Sequence, residues 1–221
     1  MSSPRQNRAV FLERVQTAVS AGNRAGIAIP HPERAGVGYQ GAGPDPVRRF
    51  AHELAALGGF AHLVPNSQAA VATVFDLAQA RKARRVFLGE GALVDPLRLA
   101  DQLASNGMEV ILSDTSRDAI FAADLGISGV DALIAETGSI VQASRPGQPR
   151  SLSLLPPCYI AIADRSQLYA DLFDWFDTFP VGDLPASISL ITGPSKTGDI
   201  ELKLVTGVHG PGEVHVILVN P

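Results

Sequence analysis

What this chain has little of narrows its chemistry most. Cys158 is the single cysteine among 221 residues, so no internal disulfide can form, and chains so poor in thiols belong to reducing compartments. Iron–sulfur clusters and structural zinc sites draw on about four thiolate or imidazole ligands. One cysteine and five scattered histidines, at 31, 52, 62, 209 and 215, do not read as such a set. No metal and no cofactor is therefore expected on this chain, and an electron-transfer centre working with it would sit on a partner. Positive charge is short as well: 18 basic against 22 acidic residues leave a net charge of −4, which gives nucleic acid no basic footprint. No apolar run reaches the roughly 18 residues of a membrane span. The opening Met-Ser-Ser-Pro-Arg-Gln-Asn-Arg, followed by Glu13 and Arg14, lacks the unbroken apolar core of a signal peptide. The cytoplasm is the expected location.

What is present is an ordinary globular composition, 46 % hydrophobic and 18 % charged, long enough for one large domain or two small ones. Leu12, Val15 and Val19 space an amphipathic helix over roughly 8–20. Residues 22–46 are broken by glycine and proline and read as a loop. After Asp45-Pro46, an N-cap followed by proline at the first helical position, Val47, Phe50, Ala51 and Leu54 share one helical face. Strands at about 60–64, 85–88 and 109–112 then alternate with helices starting at Asn66/Ser67, at Asp95-Pro96 (with Leu99 and Leu103) and at Thr115–Asp118. The spacing between the second and third strands fits a right-handed crossover, hence a parallel α/β sheet flanked by helices. Short β-like runs at 132–135, 139–143, 151–155 and 158–163 suggest a β-rich insertion. Tyr169, Leu172, Phe173 and Phe176 mark a further helix. Strands are expected at 187–192 and 214–219, with a helical segment at about 198–206 between them.

Three segments carry candidate chemistry. Thr192-Gly-Pro-Ser-Lys-Thr-Gly-Asp199 follows an apolar strand, placing it where α/β proteins bind ligands at the C-terminal strand edge. Gly193 permits close backbone approach, and Ser195, Lys196 and Thr197 offer hydroxyls, amides and a cation to a small anion. The order of a Walker A loop is absent; Asp199 reads either as a catalytic carboxylate converging with Glu136, Lys196 and His209 on one pocket or as the cap of a plain turn. In Ala135-Glu-Thr-Gly138, Glu136 reads either as nucleophile or general base or as a solvated turn carboxylate, with Thr137 and Gly138 beside it as ligand contacts. His209, in the glycine-flanked turn Gly207–Pro211, is placed either for proton transfer near neutral pH or for bonding its own turn. By contrast, His215 and Cys158 lie in apolar strands and read as structural. Gly36-Val-Gly-Tyr-Gln-Gly41 matches the dinucleotide pattern in letters only, because prolines replace the strand and helix that the mechanism needs.

Taken together, Asp131–Val141, Leu154-Leu-Pro-Pro157, Ile191–Glu201 and Gly207–Pro211 resemble the LUD domain family in its stand-alone, lactate-utilisation C form. The resemblance covers about 45–221, with residues 1–44 as a variable N-terminal extension. It implies a fold akin to the NagB/RpiA/CoA-transferase group. It also implies a part in oxidising L-lactate to pyruvate beside iron–sulfur partner proteins, whether or not the chain itself is an enzyme; a homo-oligomer stays open. Where the family often has histidine after the proline pair, this chain has Tyr159. In CoA-transferase relatives a glutamate attacks a thioester, and Glu136 occupies a comparable turn, which leaves an acyl- or CoA-transferase, phospho-sugar or folate-type enzyme as the alternative.

Overall fold

The computed structural model describes residues 4–22, 41–178, 185–197 and 205–220. The chain divides into two compact units, Met1–Tyr39 and Gln40–Pro221. In the first, helix α1 (Pro4–Gly22) carries the expected stripe, and Leu12, Val15 and Val19 are exposed. Most of the dinucleotide look-alike at 36–41 lies outside the described residues.

In the second unit, α2 (Pro46–Ala56) starts where its capping chemistry dictates: the Asp45 side chain accepts from the Arg48 amide at 3.0 Å, and Phe50 and Leu54 are buried. Then come β1 (Phe60–Val64), α3 (Ser67–Ala80, capped by Asn66), β2 (Arg85–Leu88), α4 (Leu99–Ser105), β3 (Glu109–Ile111), α5 (Arg117–Phe121) and β4 (Leu125–Gly129). The remaining elements are β5 (Ala132–Ile134), β6 (Ser139–Ala143), α6 (Ser151–Leu154), β7 (Cys158–Asp164), β8 (Leu168–Tyr169), α7 (Leu172–Asp177), β9 (Ile188–Ile191), β10 (Lys196–Thr197), β11 (Val205–Thr206) and β12 (Glu213–Val219).

Six strands form one sheet in the order β1-β12-β7-β4-β2-β3, every pairing parallel. The expected β2–β3 crossover is there. A second sheet, β8-β5-β6-β9, holds the expected runs at 132–135 and 139–143 of the β-rich insertion, whereas the run at 158–163 is β7, in the middle of the parallel sheet. The period-2 pleat sorts side chains between two cores. On one face Cys158, Ile160, Ile162 and Ile217 pack with α3 and α4 residues such as Val74 and Leu103. On the other, Tyr159, Ala161, Val216 and Leu218 pack with Phe50 and Leu54 of α2 and with Leu133 and Ile140 of the second sheet. Trp175 of α7 closes the outer face of that sheet against Ala132, Ile134 and Val141.

Four expectations need correction. Residues 151–155 are helical over Ser151–Leu154 rather than a strand: the neighbours Leu152 and Ser153 are both buried, Leu152 against Phe87 and Ile111, while Leu154 is exposed. Asp95 does not cap α4. It opens a separate 3-10 turn (Asp95–Leu97), accepts from the Gly91 amide at 2.9 Å, and is divided from α4 by Arg98 at φ 50°. The late helix buries Trp175, while Phe176 is exposed and Tyr169 belongs to β8. Val205–Thr206, placed in a helical segment by the sequence, pair instead as a strand with Lys196–Thr197. The rest of that segment lies outside the described residues.

Candidate functional site

The three chemistry-bearing segments meet. Ala135–Gly138 is the tight turn between β5 and β6, and β6 pairs antiparallel with β9 through Ile140 and Ile191. That register puts Ser139 beside Thr192. The Ser139 hydroxyl lies 2.7 Å from the Thr137 hydroxyl and 2.8 Å from that of Thr192, so three hydroxyls form a chain from the Glu136 turn to the 192–197 loop. Glu136 is half-buried, and its amide donates to the Ala170 carbonyl at 3.0 Å. The Ser195 amide donates to the Pro211 carbonyl at 2.9 Å, and the Gly207 amide donates to the Ser195 carbonyl at 3.0 Å. These bonds fasten the turn that carries the exposed His209 against the loop. Thr197 pairs through its backbone with Val205, and Asp199 lies outside the described residues.

Helix α2 is the base on which these segments rest. Gly138 has φ +66°, and a Cβ there would lie 2.4 Å from the Leu54 amide nitrogen, so backbone packs directly on backbone. A Cβ on Gly193 would lie 2.9 Å from that of Leu57. The exposed Lys196 ammonium donates to the Leu57 carbonyl at 2.6 Å, a cation bonded to a carbonyl at the helix C-terminus, where the dipole favours it.

This junction is not at the expected edge of the main sheet. Leu57–Gly59 lead into β1, Pro157 into β7 and Gly212 into β12, and the Gly212 amide donates to the Pro157 carbonyl at 2.9 Å. The loop therefore sits at the N-terminal edge of the six parallel strands. It follows the C-terminal end of β9, but β9 belongs to the second sheet.

Two arrangements escaped the sequence reading. On the α3 face, His215 is 4 % exposed and stacks on Phe60 with ring centroids 4.8 Å apart. Arg81 donates to its Nε2 at 3.0 Å, so Nδ1 carries the proton and faces His62 Nε2 at 3.0 Å. Arg81 also pairs with Glu213. Burial, with the Arg81 charge and His62 adding to it, pushes His215 down to about 4, and burial lowers His62. Among the described residues, Cys158, Glu213 and His215 bring potential metal-ligand atoms within 4.8 Å of one another. The Arg81 guanidinium supplies positive charge there. Burial raises the Cys158 thiol, and Arg81 opposes that rise.

The second arrangement starts inside the sheet, near the beginning of β7, and leads toward the opposite, C-terminal edge. Tyr159, fully buried, bonds Ser128 Oγ at 2.8 Å, and Gln142 Nε2 donates to the same hydroxyl at 3.0 Å. Burial pushes the Tyr159 hydroxyl far up; the Ser128 bond opposes this and the charge of Asp131 adds to it. Asp131 itself lines a surface hollow with Arg145, to which it is paired. Gly89-Glu90-Gly91 after β2 and Gly129-Val130-Asp131 after β4 were the signals for this edge.

Residues 47–219 match the LUD domain. The chain belongs to the LUD domain family. It is 38 % identical over 112 residues to lactate utilization protein C of Exiguobacterium sp., covering 48 % of this chain and 49 % of that protein. It is 42 % identical over 102 residues to the protein of the same name in Shouchella clausii, with 44 % of each covered. To an uncharacterized protein of Neisseria meningitidis serogroup B it is 37 % identical over 100 residues, covering 44 % of this chain and 43 % of that protein. The chain thus spans about half the length of the curated relatives it matches. A DUF162 family protein from Deinococcus radiodurans has the same fold, with a TM-score of 0.55 at 20 % identity, covering 86 % of this chain and 99 % of that one. Among the described residues no helix is long and apolar enough to cross a membrane.

Proposed function

We propose that this protein serves lactate utilisation as a non-redox component that works beside iron–sulfur partners in the cytoplasm and holds a small organic anion at the junction of the 135–139 and 192–197 segments. The pathway is supported by relatives that carry the name lactate utilization protein C. The division of labour is supported by a chain whose single thiol, Cys158, is buried. The observation that carries the anion site is the Thr137–Ser139–Thr192 hydroxyl chain, which ends beside a loop bearing the exposed Lys196 ammonium. A carboxylate at that mouth receives hydroxyl donors and one cation, the pairing a hydroxy acid needs. L-lactate and pyruvate titrated into the full chain should raise its Tm, and Lys196→Met should remove that rise. Deletion of the gene should abolish growth on lactate; normal growth overturns the pathway reading.

A second reading is favoured by the same contact. Ser139 joins the turn that carries Glu136 to the 192–197 loop, which supports a reading in which Glu136 serves that loop as nucleophile or base. Glu136→Gln would then eliminate turnover of an acyl or CoA ester in a chain that still unfolds cooperatively. Retained turnover removes this reading.

A further inference from the structure

Strand β2 leads outward to β3, and the chain returns to β4 on the other side of β2. The chain order thus reverses between β2 and β4, with α4 packed on one face and the α5 side on the other. In open parallel sheets the crevice beyond the C-terminal ends of such a strand pair is where ligands bind. Here it holds a hollow of about 380 Å³, lined by Glu90, Gly91, Gly129 and Val130, which shares Asp131, Arg145 and Pro146 with a wider hollow of about 1150 Å³ at the end of β6 and the start of β9.

The walls of this crevice are set before any ligand arrives. Gln148, 6 % exposed, donates from Nε2 to the Glu90 carbonyl at 2.6 Å, and the Glu90 amide donates to the Gly147 carbonyl at 3.0 Å. The Asp131 carboxylate accepts from the Ala143 amide at 2.6 Å and pairs with Arg145. Next to Ala143 on β6 lies Gln142, 1 % exposed, whose Oε1 is buried without a partner.

We propose that this crevice binds a mononucleotide-like phosphate ester. Exposed guanidinium groups of Arg145 and Arg150, with hydroxyls of Ser144 and Ser187 on the same wall, match phosphate oxygens. The carboxylates of Glu90 and Asp131 can only accept, so they take sugar hydroxyls. Pro146, Pro149 and Pro185 present flat apolar surface to a planar base. The volume far exceeds what a three-carbon acid fills. The site lies on the opposite edge from the small-anion junction and stands or falls independently of it.

Calorimetric titration of the full chain with AMP and, separately, inorganic phosphate tests this, alongside Arg150→Gln and Arg145→Gln. AMP should bind at least about tenfold more tightly than phosphate, and each substitution should weaken AMP binding about tenfold, the loss of one charge-assisted hydrogen bond. Arg150 is exposed, so Arg150→Gln keeps the test valid even if Arg145→Gln unsettles Asp131. Lys196→Met should leave the AMP isotherm unchanged. Absence of AMP binding, AMP binding untouched by Arg150→Gln, or equal binding of inorganic phosphate overturns the proposal.

Discussion

The two edges of the six-stranded sheet are built on opposite plans. At the N-terminal edge, segments from three parts of the chain are pressed together, Gly138 on the backbone of Leu54 and Gly193 on the Cβ of Leu57, and the polar groups bond one another. At the C-terminal edge the backbone opens into hollows, and charged side chains face the space. Sequence motifs are dense at the first edge and inconspicuous at the second. A residue pattern marks tight assembly at least as strongly as it marks chemistry, and a groove can be assembled from residues that form no pattern at all.

The largest expected effect falls at the tight edge. Gly138→Ala places a Cβ in a left-handed backbone 2.4 Å from the Leu54 nitrogen, and should cost about 3 kcal/mol or more, read as the shift in denaturant midpoint. A loss below about 1 kcal/mol would show that α2 moves freely away and that the edge is looser than described.

The His215 pair comes next. With its pKa lowered to about 4 in the folded chain from an ordinary 6.5, the unfolded chain takes up a proton first as pH falls. The stability present above pH 6.5 is therefore lost on descending toward pH 4, by roughly 2–3 kcal/mol. His215→Gln should flatten that part of the stability–pH curve, measured by urea unfolding across the window. An unchanged slope would assign the acid sensitivity elsewhere.

Smaller still is Ser139→Ala, which leaves the Thr137 and Thr192 hydroxyls without their shared partner and should cost about 1–2 kcal/mol. Its Tm separates a bonded junction from an incidental one. Smallest is Arg150→Gln at the open edge, within about 0.5 kcal/mol of the parent stability. If that substitution destabilised as much as Ser139→Ala, the contrast between the edges would collapse.

How far the sequence was legible depended on how local each signal is. Asp45-Pro46 and Asn66 announce helix starts because capping is settled within three residues, and both caps are there. The Leu125–Gly129 strand is hard to read locally: Leu125 and Ile127 do alternate, but two of its five residues are glycine, and its strand character comes from β2 and β7 on either side. Ser-Leu-Ser-Leu at 151–154 alternates like a strand yet is helical. The meeting of the Glu136 turn with the 192–197 loop was legible as shared membership of a family, while the hydroxyl chain that joins them depends on the β6–β9 register. His62 and His215 are 153 residues apart, and nothing local brings them together. The crevice residues Glu90, Asp131, Arg145 and Arg150 come from several segments joined only by topology.

The position of β12 carries a consequence for how the chain is made. It pairs with β1 on one side and β7 on the other, yet it follows both of them in the chain and is made after them. Until residues 213–219 emerge, β1 has no neighbour in the sheet and β7 presents a bare edge along apolar side chains. The nascent protein therefore passes through a stage with an unfilled slot between its two strand groups, a stage open to strand exchange between neighbouring chains. Closing that slot joins residues more than 150 positions apart, Phe60 with His215, a long-range pairing whose loop-closure entropy disfavours early completion of the sheet.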